Sequence, residues 1–173
     1  MSENAYQNIL DRVSVKKYKP DPVPEELVEK ILAAGLAAPS GVNMQGTYLL
    51  VATGEKRDLI AKLNAAVMNR EGDPFYGAPL VIVVLDRKDA YCKVYDGSLA
   101  AGQMLLAADA LGLGACWIHR AKQVFESEEG KKLLQEAGIQ EEVEGIANII
   151  VGYPDGPRPG LKPRKPGRLY RLG

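Results

Sequence analysis

Residues 78–86, APLVIVVLD, constrain the fold more than any other stretch of this chain. The run is apolar and β-branched, shows no alternation and is too short for a buried helix, so it reads as a central strand covered on both faces. Such a strand obliges helices above and below the sheet, and the sequence supplies them. Leu27, Ile31, Leu32 and Gly35 recur on one face of a helix that Pro24, Glu25 and Glu26 open and Pro39 stops. Thr53 is placed to cap a second helix bearing Leu59, Leu63 and Val67. Residues 96–113 are apolar nearly all round and rich in Ala and Gly, the pattern of a helix packed on several sides, as at a subunit interface.

The remaining elements follow from turn chemistry. Tyr48 to Ala52, the segment ACWI and the run GIANIIVGY read as three further strands, the last closed by Pro154. Residues before Asp11 read as a short helix, Ser127 starts another that Gly138 ends, and HRAKQ and NREGDPFYG read as a polar turn and a loop. Pro20, Pro22 and Pro24 hold VSVKKYKPDPVP extended, and the prolines and glycines after Asp155 keep the tail from forming a helix. Helices interleaved with about four strands, without internal repeat or linker, imply a single domain over 1–173 that mixes α with β around one sheet.

With 22 basic against 22 acidic residues the formal net charge is zero, which excludes a long-range pull towards nucleic acid or anionic membrane. The charges are nevertheless clustered. Arg12, Lys16, Lys17 and Lys19 lie in the N-terminal arm, Arg158, Lys162, Arg164, Lys165, Arg168 and Arg171 in the tail, and acids concentrate between Glu126 and Glu144. Brought together, the two ends would form a cationic site suited to a phosphate; kept apart, they are solvated surface charge. A polyanion-binding tail would need interleaved aromatics, and this one offers only Tyr170.

The motifs of nucleotide hydrolysis, serine hydrolysis and zinc proteolysis are absent. GLGACW lacks the third glycine of a dinucleotide loop and sits between a helix and a strand in the wrong order. Cys92 and Cys116 have no metal-type spacing, which argues against zinc and a disulfide framework and for a reducing compartment. Cys116 reads as a small buried hydrophobe, while His119, the sole imidazole, is either a plain loop residue or part of a site. Residues 99–118 could span a bilayer by length alone, but Gln103 and Asp109 oppose it, and MSENAYQNIL has no secretory pattern, so the expected location is cytoplasmic.

Four segments carry a resemblance: RVSVKKYKPDPVPEELVEKILAAGLAAPSGVNMQ, DGSLAAGQMLLAADALGLGACWI, IANIIVGYP and the basic PRK near the end. In this order and spacing they resemble the FMN-dependent nitroreductase family over nearly the whole chain. The resemblance implies an α+β fold with a central mixed, mainly antiparallel sheet flanked by helices. It also implies an intertwined homodimer in which residues 154–173 wrap the partner, with FMN at the interface. Arg12, Ser14 and Lys16 match the family's arm, with Arg12 at the phosphate and Lys16 near the flavin N1 and O2. Lys162 and Arg164 would join Arg12. Pro39, Ser40, Gly41 and Asn43, followed by Gln45, match the turn laid against the flavin by the other subunit. Trp117, His119 and Arg120 match the loop whose backbone N–H meets N5.

The implied activity is ping-pong hydride transfer from NADH or NADPH through flavin N5 to a small-molecule acceptor such as a nitro compound or quinone. Chemistry would then reside in the cofactor, and no side-chain triad is required. Reductive dehalogenation and flavin breakdown on the same fold are the alternatives. Gly46 and Thr47 replace the family's usual Pro and aromatic residue after the Gln, and HRA replaces its usual Glu-Gly. Asn69 and Tyr76 are further candidates for the pocket lining.

Overall fold

The computed structural model describes residues 2–173. Four strands, β1 (Thr47–Thr53), β2 (Leu80–Arg87), β3 (Gly114–Ile118) and β4 (Val143–Gly152), form one sheet in the order β1-β2-β4-β3. The helices are α1 (Ser2–Asp11), α2 (Glu25–Leu36), α3 (Gly54–Val67), α4 (Lys93–Ala110), α5 (Ala121–Glu126) and α6 (Glu128–Glu136). All three ladders are antiparallel, and the mixed character expected of the sheet is confined to one parallel bridge, Ser14 to Ala115.

Strand β2 is central and covered on both faces, as its sequence requires. Val81, Val83 and Leu85 point into a core shared with α3, α5 and α6, while Leu80, Ile82 and Val84 point into a second core shared with α2 and α4. None of the six is more than 1% exposed. Each such side chain contributes about 1.5–3 kcal/mol of burial free energy, so this strand anchors both layers. Helix α4 lies close against the sheet at Gly97, where a Cβ would stand 2.8 Å from Ile146 Cγ1.

Two local expectations need correction. HRAKQ is not all turn: Arg120 takes a left-handed φ of 79° and α5 begins at Ala121, burying Ala121, Val124 and Phe125. Six residues are too few to show helical periodicity. Thr53 precedes α3, but its hydroxyl makes no cap bond, whereas the Ser127 hydroxyl accepts the Gly130 N–H at the start of α6.

The arm runs along the sheet edge and meets the start of the tail. Val15 N–H donates to Ala115 O (3.1 Å), Lys19 N–H to Tyr153 O (2.9 Å) and Asp155 N–H to Lys17 O (3.0 Å), and Lys17 Nζ lies 2.7 Å from Asp155 Oδ2. Beyond this junction residues 161–173 are exposed and without helix or strand. Among the described residues no helix is long and apolar enough to cross a membrane.

Candidate functional site

The arm brings its polar residues onto β3. Arg12 emerges from the end of α1, and its Nη1 is buried without a hydrogen-bond partner. A guanidinium nitrogen in that state is a donor waiting for an acceptor. Burial pushes the Cys116 thiol up, while the Ser14 hydroxyl and the Lys16 and Arg12 charges act in the opposite direction, so all three arm residues lie near Cys116 on β3. Lys16 Nζ sits 5.7 Å from the centroid of the Tyr76 ring.

The turn after β3 is held from inside. Asn64 Nδ2 donates to His119 O at 2.8 Å, and Asn148 Nδ2 reaches Ile118 O and His119 O at 3.5 and 3.4 Å. Both asparagines are 0% exposed. Because a trans peptide points its C=O and N–H in opposite directions, carbonyls drawn inward turn the N–H groups of His119 and Arg120 outward. Neither N–H finds a backbone acceptor among the described residues. Sequence reading missed both asparagines, although Asn148 was visible as the one polar side chain in the apolar run IANIIV.

A second polar cluster forms at the entry to β1. Gly41 N–H donates to both oxygens of Asp96 on α4 at 3.1 Å, Gln45 N–H donates to Ser40 Oγ at 2.9 Å, and Gln45 Nε2 donates to Asn43 Oδ1 at 3.0 Å. These bonds hold Val42, Asn43 and Gln45 in left-handed backbone, φ 47°, 57° and 50°. Thr47 Oγ1 donates to Asp86 Oδ2 at 2.8 Å. Burial, with the Asp96 charge adding to it, pushes the Asp86 carboxyl up against the opposing bonds from Thr47 and the Arg87 N–H. A Cβ at position 46 would stand 2.8 Å from Asp86 Oδ1, which explains a glycine directly after Gln45.

These clusters occupy opposite edges of the sheet. Thr47 is level with Asp86 and Glu144 near the start of β4, whereas Ile118 is level with Asn148 at its middle and Ala115, bridged to Ser14, with Val151 near its end. Three strand spacings, roughly 14 Å, separate the edges. One chain therefore gathers Arg12, Ser14, Lys16, Trp117, His119 and Arg120, with Tyr76 added, and leaves Pro39, Ser40, Gly41, Asn43 and Gln45 on the far edge. Lys162 and Arg164 lie on the exposed tail, which is tied to the end of α4 by an ion pair from Arg158 to Asp109. The donor set on the β3 edge fits a phosphorylated flavin: an unpartnered buried guanidinium nitrogen for the phosphate, an ammonium for the ring edge, and outward N–H groups for a ring nitrogen.

The model of the nitroreductase family matches residues 9–75 and 66–153. An Archaeoglobus fulgidus protein assigned as an NADH dehydrogenase/NAD(P)H nitroreductase is 31% identical over 156 residues, covering 88% of this chain and 86% of its own. A Methanothermobacter thermautotrophicus protein of the same assignment is 33% identical over 151 residues, covering 84% and 75%. The FMN-bound nitroreductase of Bacteroides fragilis has the same fold, with a TM-score of 0.87 at 23% identity over 98% of both chains. A Desulfovibrio desulfuricans protein assigned as a nitroreductase and solved in complex with FMN gives a TM-score of 0.72 at 29% identity over 94% and 91%. With the sequence match running from residue 9 to residue 153 and the fold shared end to end, this chain belongs to the nitroreductase family.

Proposed function

We propose that this chain is the subunit of a homodimeric FMN-dependent oxidoreductase that takes hydride from NADH or NADPH and passes electrons to a small-molecule acceptor of the nitro-compound or quinone type. The observation that carries the reading is the buried, unpartnered Nη1 of Arg12 beside Ser14 and Lys16. When bound, FMN supplies the hydride chemistry that no side chain here provides.

The residues have separate tasks. Arg12, with Ser14, binds the phosphate dianion through charge-assisted hydrogen bonds. Lys16 sets a permanent cation at the ring edge, where reduction adds negative charge, and so favours the reduced state. Asn64 and Asn148 are positioning residues: they fix the 118–120 turn so that its N–H groups face the ring without reorganising.

The separation of the two polar clusters supports a dimer, because the turn 39–45 reaches the β3 edge only if a second copy supplies it. Tyr95 and Leu99 on α4, and Leu161, Leu169, Tyr170 and Leu172 on the tail, are exposed apolar side chains suited to that contact. The tail 154–173 then extends a single domain across the partner and carries Lys162 and Arg164 to the phosphate. Cys92 and Cys116, both free, suit a reducing, cytoplasmic setting. The dehalogenating alternative draws on the FMN-bound structure of an iodotyrosine deiodinase that is 23% identical, a likeness of fold alone.

The test begins with colour. Purified protein should be yellow, release FMN on heating, elute as a dimer and give parallel double-reciprocal lines with NAD(P)H and a quinone or nitro acceptor. A colourless protein that ignores added FMN overturns the proposal, and intersecting lines overturn the use of one shared face.

A further inference from the structure

Beside the β3–α5 turn lies an open cleft of about 310 Å3. Met68, Tyr76, Trp117 and Ile118 give it apolar and aromatic walls, and Arg70 and Arg120 stand on its lining. Left-handed backbone at Tyr76 and Arg120 (φ 55° and 79°), unfavourable for side chains of this size, and at Asn69 (φ 49°), which tolerates it, turns the chain at three points around it.

The charges of this cleft do not cancel. Its acids are Glu71 and Asp73. Asp73 is satisfied within the fold: Arg57 Nη2 donates to Oδ2 at 2.6 Å, Gly77 N–H to Oδ2 at 2.8 Å and Phe75 N–H to Oδ1 at 2.8 Å. Among the described residues neither Arg70 nor Arg120 forms an ion pair, so Glu71 alone opposes two arginines. Lys16, over the Tyr76 ring, adds a third cation at the rim. Unpaired guanidinium groups beside aromatic walls recognise a flat anion, since each fork binds a carboxylate in its plane.

We infer that this cleft is the acceptor subsite and that it selects a planar aromatic molecule carrying a carboxylate or similar anionic group, its ring against Tyr76 and Trp117 and its anion on Arg70 and Arg120. This rests on the flavin reading, because the cleft shares Trp117, His119 and Arg120 with the turn assigned to the cofactor. It goes beyond that reading by naming a charge on the acceptor and by giving a role to Arg70. The same anion chemistry could come from the extra phosphate of NADPH, and the test separates the two sources.

The holoenzyme is assayed with 4-nitrobenzoate and its uncharged methyl ester, and binding of 4-nitrobenzoate without reductant is measured by calorimetry. Arg70 is exposed and makes no side-chain hydrogen bond among the described residues, so Arg70→Gln should fold normally. The substitution should lower kcat/KM for the anion about 3- to 10-fold and weaken its binding equally, while the ester and the FMN affinity stay unchanged. Arg70→Lys should recover part of the loss, and added salt should shrink it. Equal losses for anion and ester overturn the inference. So does a loss of FMN affinity, which would give the cleft to the cofactor, or a raised KM for NADPH alone, which would give it to the donor. Wild-type protein that holds no FMN overturns the flavin reading itself, whereas turnover of both probes without preference for the anion overturns only the subsite.

Discussion

Replacing Arg12 by Ala should separate ligand binding from folding. In the free protein Nη1 is a buried donor with no acceptor, a state that costs about 1–3 kcal/mol. Its removal relieves that cost and forfeits some packing, so the apo variant should unfold within about 1 kcal/mol of wild type. With FMN bound the same nitrogen makes a charge-assisted bond of about 1.5–3 kcal/mol, and its loss should weaken FMN binding about 10- to 150-fold. Fluorescence-quench titration reads the affinity, and thermal unfolding with and without FMN reads the linkage. At FMN one hundred times the wild-type Kd the ligand adds about 2.7 kcal/mol of stability; a variant bound 50-fold more weakly keeps about 0.6 kcal/mol at that concentration. An unchanged Kd would refute the assignment. So would an apo variant destabilised by more than about 2 kcal/mol, because Arg12 would then serve the fold instead.

Two further outcomes test the scaffold. Gly130→Ala lies inside α6, where alanine usually gains about 1 kcal/mol over glycine, but here the new Cβ would meet Val124 O at 2.0 Å. Net destabilisation of about 1–2 kcal/mol in urea unfolding is expected, and a neutral result would contradict the α5–α6 contact. Arg57, 7% exposed, donates to Ala78 O and Asp73, and Arg57→Leu should cost about 2–4 kcal/mol, reduced from the fully buried case because Asp73 is partly exposed. Burial alone pushes the Asp73 carboxyl up, but the hydrogen bonds from Arg57, Gly77 and Phe75 together hold it below its ordinary value. A lowered carboxyl stabilises the fold above the unfolded value near 4 and loses that contribution as pH falls through the folded one. Chemical denaturation from pH 5 to pH 2 should therefore show a steeper acid loss in wild type than in Asp73→Asn, and equal slopes would count against the Arg57–Asp73 pairing.

Much of the scaffold was legible because its signals are local. The non-alternating run at 78–86 declared a doubly covered strand, and the all-round apolar stretch at 96–113 declared the helix that becomes α4. Ser127 and Gly138 bracket α6 by capping and by a left-handed φ of 77°. Helix α5 escaped notice because it is shorter than two turns and is made by burial of Ala121, Val124 and Phe125. Asn64 and Asn148 escaped as anchors of the 118–120 turn because their partners are carbonyls 55 and about 30 positions away.

The sequence alone determined the four strands, every helix but α5, and which residue types could meet a flavin phosphate, since hydrophobic period, caps and charge are properties of neighbours along the chain. It also carried the resemblance that names the family. Only the tertiary structure decided that the arm lies on β3, that Arg12 keeps an unpartnered buried nitrogen there, and that the turn at 39–45 stands on the opposite edge of the sheet. Strand order and the pairing of distant polar groups arise from packing and desolvation across the fold, and no local pattern of residues encodes them.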